Sequence, residues 1–211
     1  MSTTVRTHDT GVQMPLSVGS VIAALGALSF ISVIIFYPDA TPREAYKSAG
    51  SVAAGVLATF GLVITVFSLL RWRTSLPAWA VLTAATGMFF TAANAWYFST
   101  AINAAVSVTT DSGFEDLGDS PWFFASLAPK MALCLVGFVG LAVAGWRQRS
   151  IPRSAAVLLA LAGLASAAFP AFPPGVLLSS VAFYLIAGSA RRTGEAHESP
   201  PASVTPARAG R

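Results

Sequence analysis

Cysteine occurs once, as Cys134 inside an apolar run, so the chain can close no internal disulfide and offers no metal-ligand spacing. Histidine occurs twice, and both His8 and His197 lie in polar terminal segments. Asp, Glu and His are absent from every long apolar stretch, which removes the usual proton-relay and ion-coupling groups of pumps and many transporters. No HExxH pair, GxSxG elbow or Walker loop is present, and Cys134 has no His in the apolar stretches to activate it. An enzyme built on this chain would lack a nucleophile, a base and a metal site unless its one cluster of acids supplied them. The expectation is therefore a protein that is not an enzyme, with no cofactor and no metal. Charge is scarce as well: 10% of residues are charged, against roughly 25% in ordinary soluble domains, too few to clothe a water-soluble surface.

In their place the chain has apolar length. Of its residues 55% are hydrophobic, and apolar runs near the ~20 residues needed to cross hydrocarbon recur along most of it. The pattern predicts an all-α polytopic membrane protein with six transmembrane helices in a compact bundle, over residues 15–37, 49–70, 78–98, 121–146, 153–169 and 175–190. A polar N-terminal tail, 1–14, precedes them. If that tail is cytoplasmic, ten of the thirteen basic residues fall on the cytoplasmic side, and Arg43, Lys47 and Lys130 alone fall elsewhere. Six of the nine acids, Asp39, Glu44, Asp111, Glu115, Asp116 and Asp119, fall on the opposite side. Acids weigh little in orientation, but the Arg bias places both termini in the cytoplasm. The same clustering at helix ends accounts for the net charge of +4 without nucleic acid. High Ala, Arg in preference to Lys and a Pro/Ala tail fit a high-GC bacterial proteome, so the expected location is a bacterial cytoplasmic (plasma) membrane, with the lipid bilayer as first partner.

The two inner turns are alike. RWRTSLPAWAVL at 71–82 and WRQRSIPRSAAVL at 146–158 both read as cations, then Ser, an aliphatic and Pro. Cations suit a helix C-terminus, Ser is a candidate N-cap, and Pro belongs in the first turn of the next helix. With the Ala/Leu/Gly-rich helices after each turn, this pattern resembles small multi-pass membrane proteins of actinobacteria over about the last third of the chain, and the resemblance carries no functional residues. The fifth and sixth spans are short and joined by FPAFPPG, 169–175, which suits two short crossings or a re-entrant hairpin. From 191 to 211 too few apolar residues remain to bury, so a disordered cytoplasmic tail is expected.

Chemistry, if any, concentrates in FEDLGDSPWFFASLAPKM, 114–131, at the end of an acidic outer loop spanning 99–120. Asp119 and Ser120 before Pro121 signal a helix start, the aromatic run after them suits a membrane interface, and Pro129 predicts a kink or a fresh start. Lys130 lies ~25 Å of helix rise from Arg147, near the edge of a ~30 Å hydrocarbon layer. It either snorkels outward or pairs with Asp116, Asp119 or Asp39. The acids miss the EF-hand pattern. Thr83, Thr86, Thr91 and Asn94 mark one broad side of the third helix, and Ser180 and Tyr184 stand one turn apart on the sixth. They either line a polar passage or bond between helices and to their own backbone. Small-residue pairs, Ser51 with Gly55, Gly140 with Ala144 and Ala156 with Ala160, permit close helix packing. Three functions are expected, in descending order. The first is a non-catalytic scaffold or regulatory subunit, alone as a homo-oligomer or with a membrane protein partner. The second is a small permease or channel for a neutral or weakly polar solute. The third is a lipid-modifying enzyme working at the outer face through Asp116 or Asp119.

Overall fold

The computed structural model describes residues 10–36, 42–71, 76–110, 112–113, 120–169 and 173–198. Every secondary-structure element among them is helical. Six long helices carry the fold: α1 (Thr10–Phe36), α3 (Ala49–Arg71), α4 (Ala78–Tyr97), α6 (Pro121–Arg147), α7 (Arg153–Ala168) and α8 (Pro173–Glu198). Two short ones, α2 (Pro42–Lys47) and α5 (Asn103–Val108), flank the ends of α3 and α4, and a π-helical turn, Phe98–Ile102, joins α4 to α5. Three helices are long and apolar enough to cross a membrane, Gln13–Phe36, Ala49–Arg71 and Leu127–Gln148, with two shorter apolar ones at Arg153–Ala168 and Pro173–Ser189. By length and composition these helices suit a membrane.

Each long helix packs on its neighbours in the chain, and α8 packs back on α1, so the six close a ring. The centre is filled by side chains rather than left open. Phe138 of α6 and Phe183 of α8 meet edge to face at 6.2 Å, past α7, and Leu62, Met88, Leu141 and Leu159 are fully buried with them. The closest approach is between α1 and α3. A Cβ built on Gly26 would lie 2.7 Å from the Ala54 carbonyl oxygen, and one on Gly61 would fall on the backbone of Ala23. Bare backbone on both sides is what lets these helices touch, the arrangement small residues favour where apolar burial drives little association. Gly55 and Gly140 do sit at interfaces, against Ser99 and Trp79, but the tightest seam uses Gly19, Gly26 and Gly61, which the four-residue spacings do not single out.

The helices survive in apolar surroundings because their hydroxyls bond inward. Ser20, Thr65, Ser68, Thr83, Thr86, Thr91, Ser99 and Thr100 each donate to the carbonyl four residues back, at 2.6–2.9 Å. No hydroxyl among these needs water.

Several expected boundaries move. The first helix starts at Thr10, inside the segment expected as tail, and continues through Pro15. The third helix does not end at residue 98: the π turn and α5 carry it to Val108, so the first part of the expected outer loop 99–120 is helical. Ser99 packs there against Gly55 of α3, where any side chain on Gly55 would collide with it. Pro129 neither ends nor restarts its helix, which runs unbroken from Pro121 to Arg147. The last helix continues to Glu198, past the expected start of a disordered tail at 191. Ser120 takes the N-cap position of α6 without a side-chain capping bond; Asp119 lies outside the described residues. At the two inner turns the N-cap position falls to proline. Pro77 and Pro152 occupy the cap positions with matching backbone angles, φ −57°, ψ 125° and φ −59°, ψ 144°. Each lends its carbonyl to the first helical N–H groups, Ala80 and Val81 in one turn and Ala156 in the other. The aliphatic before each Pro, Leu76 or Ile151, is buried as a plug under the turn. Ser75 lies outside the described residues, and the buried Ser150 hydroxyl has no hydrogen-bond partner.

Candidate functional site

Call the end of the ring that carries Arg71, Arg147 and Arg153 the basic end, and the opposite one the far end. At the basic end Trp79 and Trp146 are exposed on the outer surface, and the Arg153 guanidinium stands 5.9 Å above the Trp146 ring. At the far end of α4, Trp96 and Tyr97 are exposed in turn. Between these belts α4 and α6 run antiparallel. Gly87 faces Cys134, Gly137 faces Ala84, and a Cβ on Gly87 would be 2.7 Å from the Cys134 nitrogen.

That close seam holds one group of polar side chains. Thr91 donates to the Gly87 carbonyl at 2.9 Å and its oxygen stands 3.5 Å from the Cys134 sulfur, and the Ser166 hydroxyl of α7 reaches the same sulfur. Lys130 lies one turn beyond Cys134 toward the far end and is only 3% exposed. Its side chain is buried in the bundle instead of extending along the surface to water. Asn94 lies one turn beyond Thr91 in the same direction, and its side-chain nitrogen Nδ2 is buried without a hydrogen-bond partner. Three of the residues singled out in the sequence, Thr91, Asn94 and Lys130, therefore share one seam. Tyr184 does not join them: it is 53% exposed on the outer surface of α8, although Ser180, one turn earlier, is buried. Asp116 and Asp119, with Asp39, lie outside the described residues, and so does the pairing expected between them and Lys130.

Cys134 and Ser166 belong to the cluster too. The four-residue spacing from Lys130 to Cys134 is readable in the sequence as one helix face; Ser166, from another helix, carries no such signal. Thr83, half-buried, and Thr86, exposed, are bonded instead to the carbonyls of Trp79 and Leu82.

A second polar arrangement closes the far end of the α1–α3 pair. α2 lies against α5: Asn103 donates to the Tyr46 carbonyl at 2.7 Å and Arg43 to the Val106 carbonyl at 3.2 Å. The Tyr46 ring stacks on Phe98 at 5.9 Å, and burial pushes its phenol above the ordinary value of 10.0. The π turn adds a residue to the helical winding, and two partners of Tyr46 stand at its ends: Phe98 opens it and Asn103 comes directly after it. Among the described residues no three His, Cys, Asp or Glu side chains gather as a metal site would require. Comparison with protein-family models, with curated proteins and with solved structures finds no match to the chain.

Proposed function

We propose that the protein is a non-catalytic scaffold or accessory subunit of a bacterial cytoplasmic membrane, crossing it six times with both termini in the cytoplasm. The observation that carries this reading is the fate of the polar side chains that would have lined a solute path. The hydroxyls of Thr83, Thr86 and Thr91 are spent on their own backbone, Tyr184 faces outward, and large apolar side chains fill the ring. A packed centre is the architecture of an assembly component, not of a conduit. Support for α4 as one of the crossings comes from its aromatic ends: Trp79 and Trp96 are separated by ~26 Å of helix rise, close to the ~30 Å of hydrocarbon between two interfacial belts.

Crosslinking in intact native membranes, followed by purification in mild detergent, tests the reading. The expected product is a discrete complex that disappears when residues 111–119 or 199–211 are removed, while circular dichroism of the shortened chain stays helical. A chain that purifies alone and conducts a small neutral solute into vesicles, with flux that falls in Asn94→Leu, would replace this reading with the permease.

A further inference from the structure

We propose that the turn between α6 and α7, residues 147–153, docks the headgroup of an anionic phospholipid in the leaflet at the basic end of the ring, through Arg147, Arg149 and Arg153. The inference rests on the reading that this end lies in a membrane interface, and not on the scaffold reading. Its first support is charge. Three cations fall within seven residues, and the nearest acids along the chain are Asp119 and Glu195. All three arginines are exposed. Among the described residues their guanidiniums have one partner in all, the Trp146 ring, which stands 5.9 Å from that of Arg153. Arg71, at the end of α3 and also exposed, adds a fourth cation at the same end. Each guanidinium carries five N–H donors in a planar fork that matches phosphate oxygens.

The second support is what these residues cost the fold. Arg149 holds a left-handed φ of 53°, a conformation that glycine adopts freely and that strains any residue with a Cβ. Its guanidinium has no partner among the described residues. Arginine here strains the backbone and gives the fold no contact in exchange, so what its charge contributes lies outside the chain. Arg153 is the first residue of α7, whose opening turn has no acid and no side-chain cap; a cation there opposes the positive end of the helix, and an anion suits it. The third support is depth. Trp146 is half exposed on the outer surface directly before the turn, and an indole in that position marks the headgroup level. The abundant anions at that level are lipid phosphates, and anionic lipids of a cytoplasmic leaflet attract cations placed just outside a crossing helix. A zwitterionic headgroup offers the same phosphate but brings its own cation to compete.

The full-length protein in mild detergent is titrated with phosphatidylglycerol, with phosphatidylcholine and, separately, with inorganic phosphate, using native mass spectrometry for the lipids and thermal stability for phosphate. Phosphatidylglycerol should be retained in preference to phosphatidylcholine. The preference should fall about fivefold for each arginine of the turn changed to Gln, the share of one cation near an anionic surface, and should vanish when all three are changed. Lys47, an exposed cation at the far end, is the control: Lys47→Gln should leave the preference unchanged. Arg149→Gly separates binding from folding, because the fold should become more stable in lipid-free detergent while the preference falls. Equal retention of the two lipids, a preference that survives the triple change, or an equal fall in Lys47→Gln overturns the proposal. Stabilisation by inorganic phosphate without any lipid preference assigns the turn to a free anion and overturns it as well. If the triple variant fails to assemble by gel filtration, Arg149→Gly decides the question on the same criteria. Detergent has no sides, so these outcomes are independent of the topology, which reporter fusions test separately.

Discussion

A single methyl group separates two glycines that look alike in sequence. At Gly61 it would fall on the Ala23 backbone, which has no side-chain torsion by which to yield; at Gly188 it would meet nothing within 4 Å. Gly61→Ala should therefore destabilise the bundle by about 1–3 kcal/mol, as overpacking does. Gly188→Ala should stabilise it by about 1 kcal/mol through helix propensity alone. Opposite shifts of the midpoint in a detergent-denaturation titration monitored by circular dichroism are the expected result, and equal shifts would mean that α1 and α3 do not pack through bare backbone. Lys130 teaches the same lesson about position. Its depth along the helix is legible by counting from Arg147, whereas whether it turns to lipid, water or the ring depends on where α4 lies.

At the scale of elements, the end of α6 shows how a helix stops without glycine. Arg149 takes a left-handed φ of 53°, and around it Arg149 N donates to the Trp146 carbonyl at 3.2 Å and Ser150 N to the Gly145 carbonyl at 3.0 Å. These two bonds define a Schellman cap, in which glycine is the favoured residue at the left-handed position. Arg149→Gly should stabilise the protein by about 1 kcal/mol, the lower end of the left-handed penalty, with a raised thermal midpoint as the readout. α7 ends at Ala168, where Phe169 leaves helical geometry with φ −121° and ψ 88°; it precedes Pro170, and a proline disfavours the helical region in the residue before it. The contact of α2 with α5 should respond to pH. A phenol whose folded value is raised above its unfolded one contributes stability that is intact below pH ~10 and is lost as pH rises through the folded value. Alkaline titration should therefore loosen α2, with Tyr46 ionising later than a free tyrosine by absorbance near 295 nm, and Tyr46→Phe should remove that step.

For the whole molecule, the proposed six crossings have a direct consequence: reporter fusions near Ser112 and after His197 should land on opposite sides of the membrane. Landing together would end the proposed topology, and with it the assignment of the basic end to the cytoplasm. The α7–α8 pair is where the arrangement is most exposed to test. α7 rises only ~24 Å, short of a ~30 Å hydrocarbon layer, so a thiol placed at Phe169 and probed with an impermeant reagent distinguishes a crossing from a re-entrant hairpin. Labelling from outside is the expected result.

Apolar runs of membrane length and scarce charge were enough by themselves to place the cores of the six long helices, though not all of their ends, because hydrocarbon tolerates no unpaired backbone and a helix satisfies its own. Where helices continued past a polar signal, at Ser99 and Arg191, local composition misled, since the continuation at Ser99 is held by packing against α3. Only the tertiary structure decided which faces met: that α8 closes on α1, that Gly61 rather than Gly140 sets the tightest approach, and that Thr91, Asn94 and Lys130 share a seam which Tyr184 does not reach. Helix periodicity is a property of one segment read alone, whereas the direction a side chain faces within a ring depends on the placement of other helices, and no local pattern contains that.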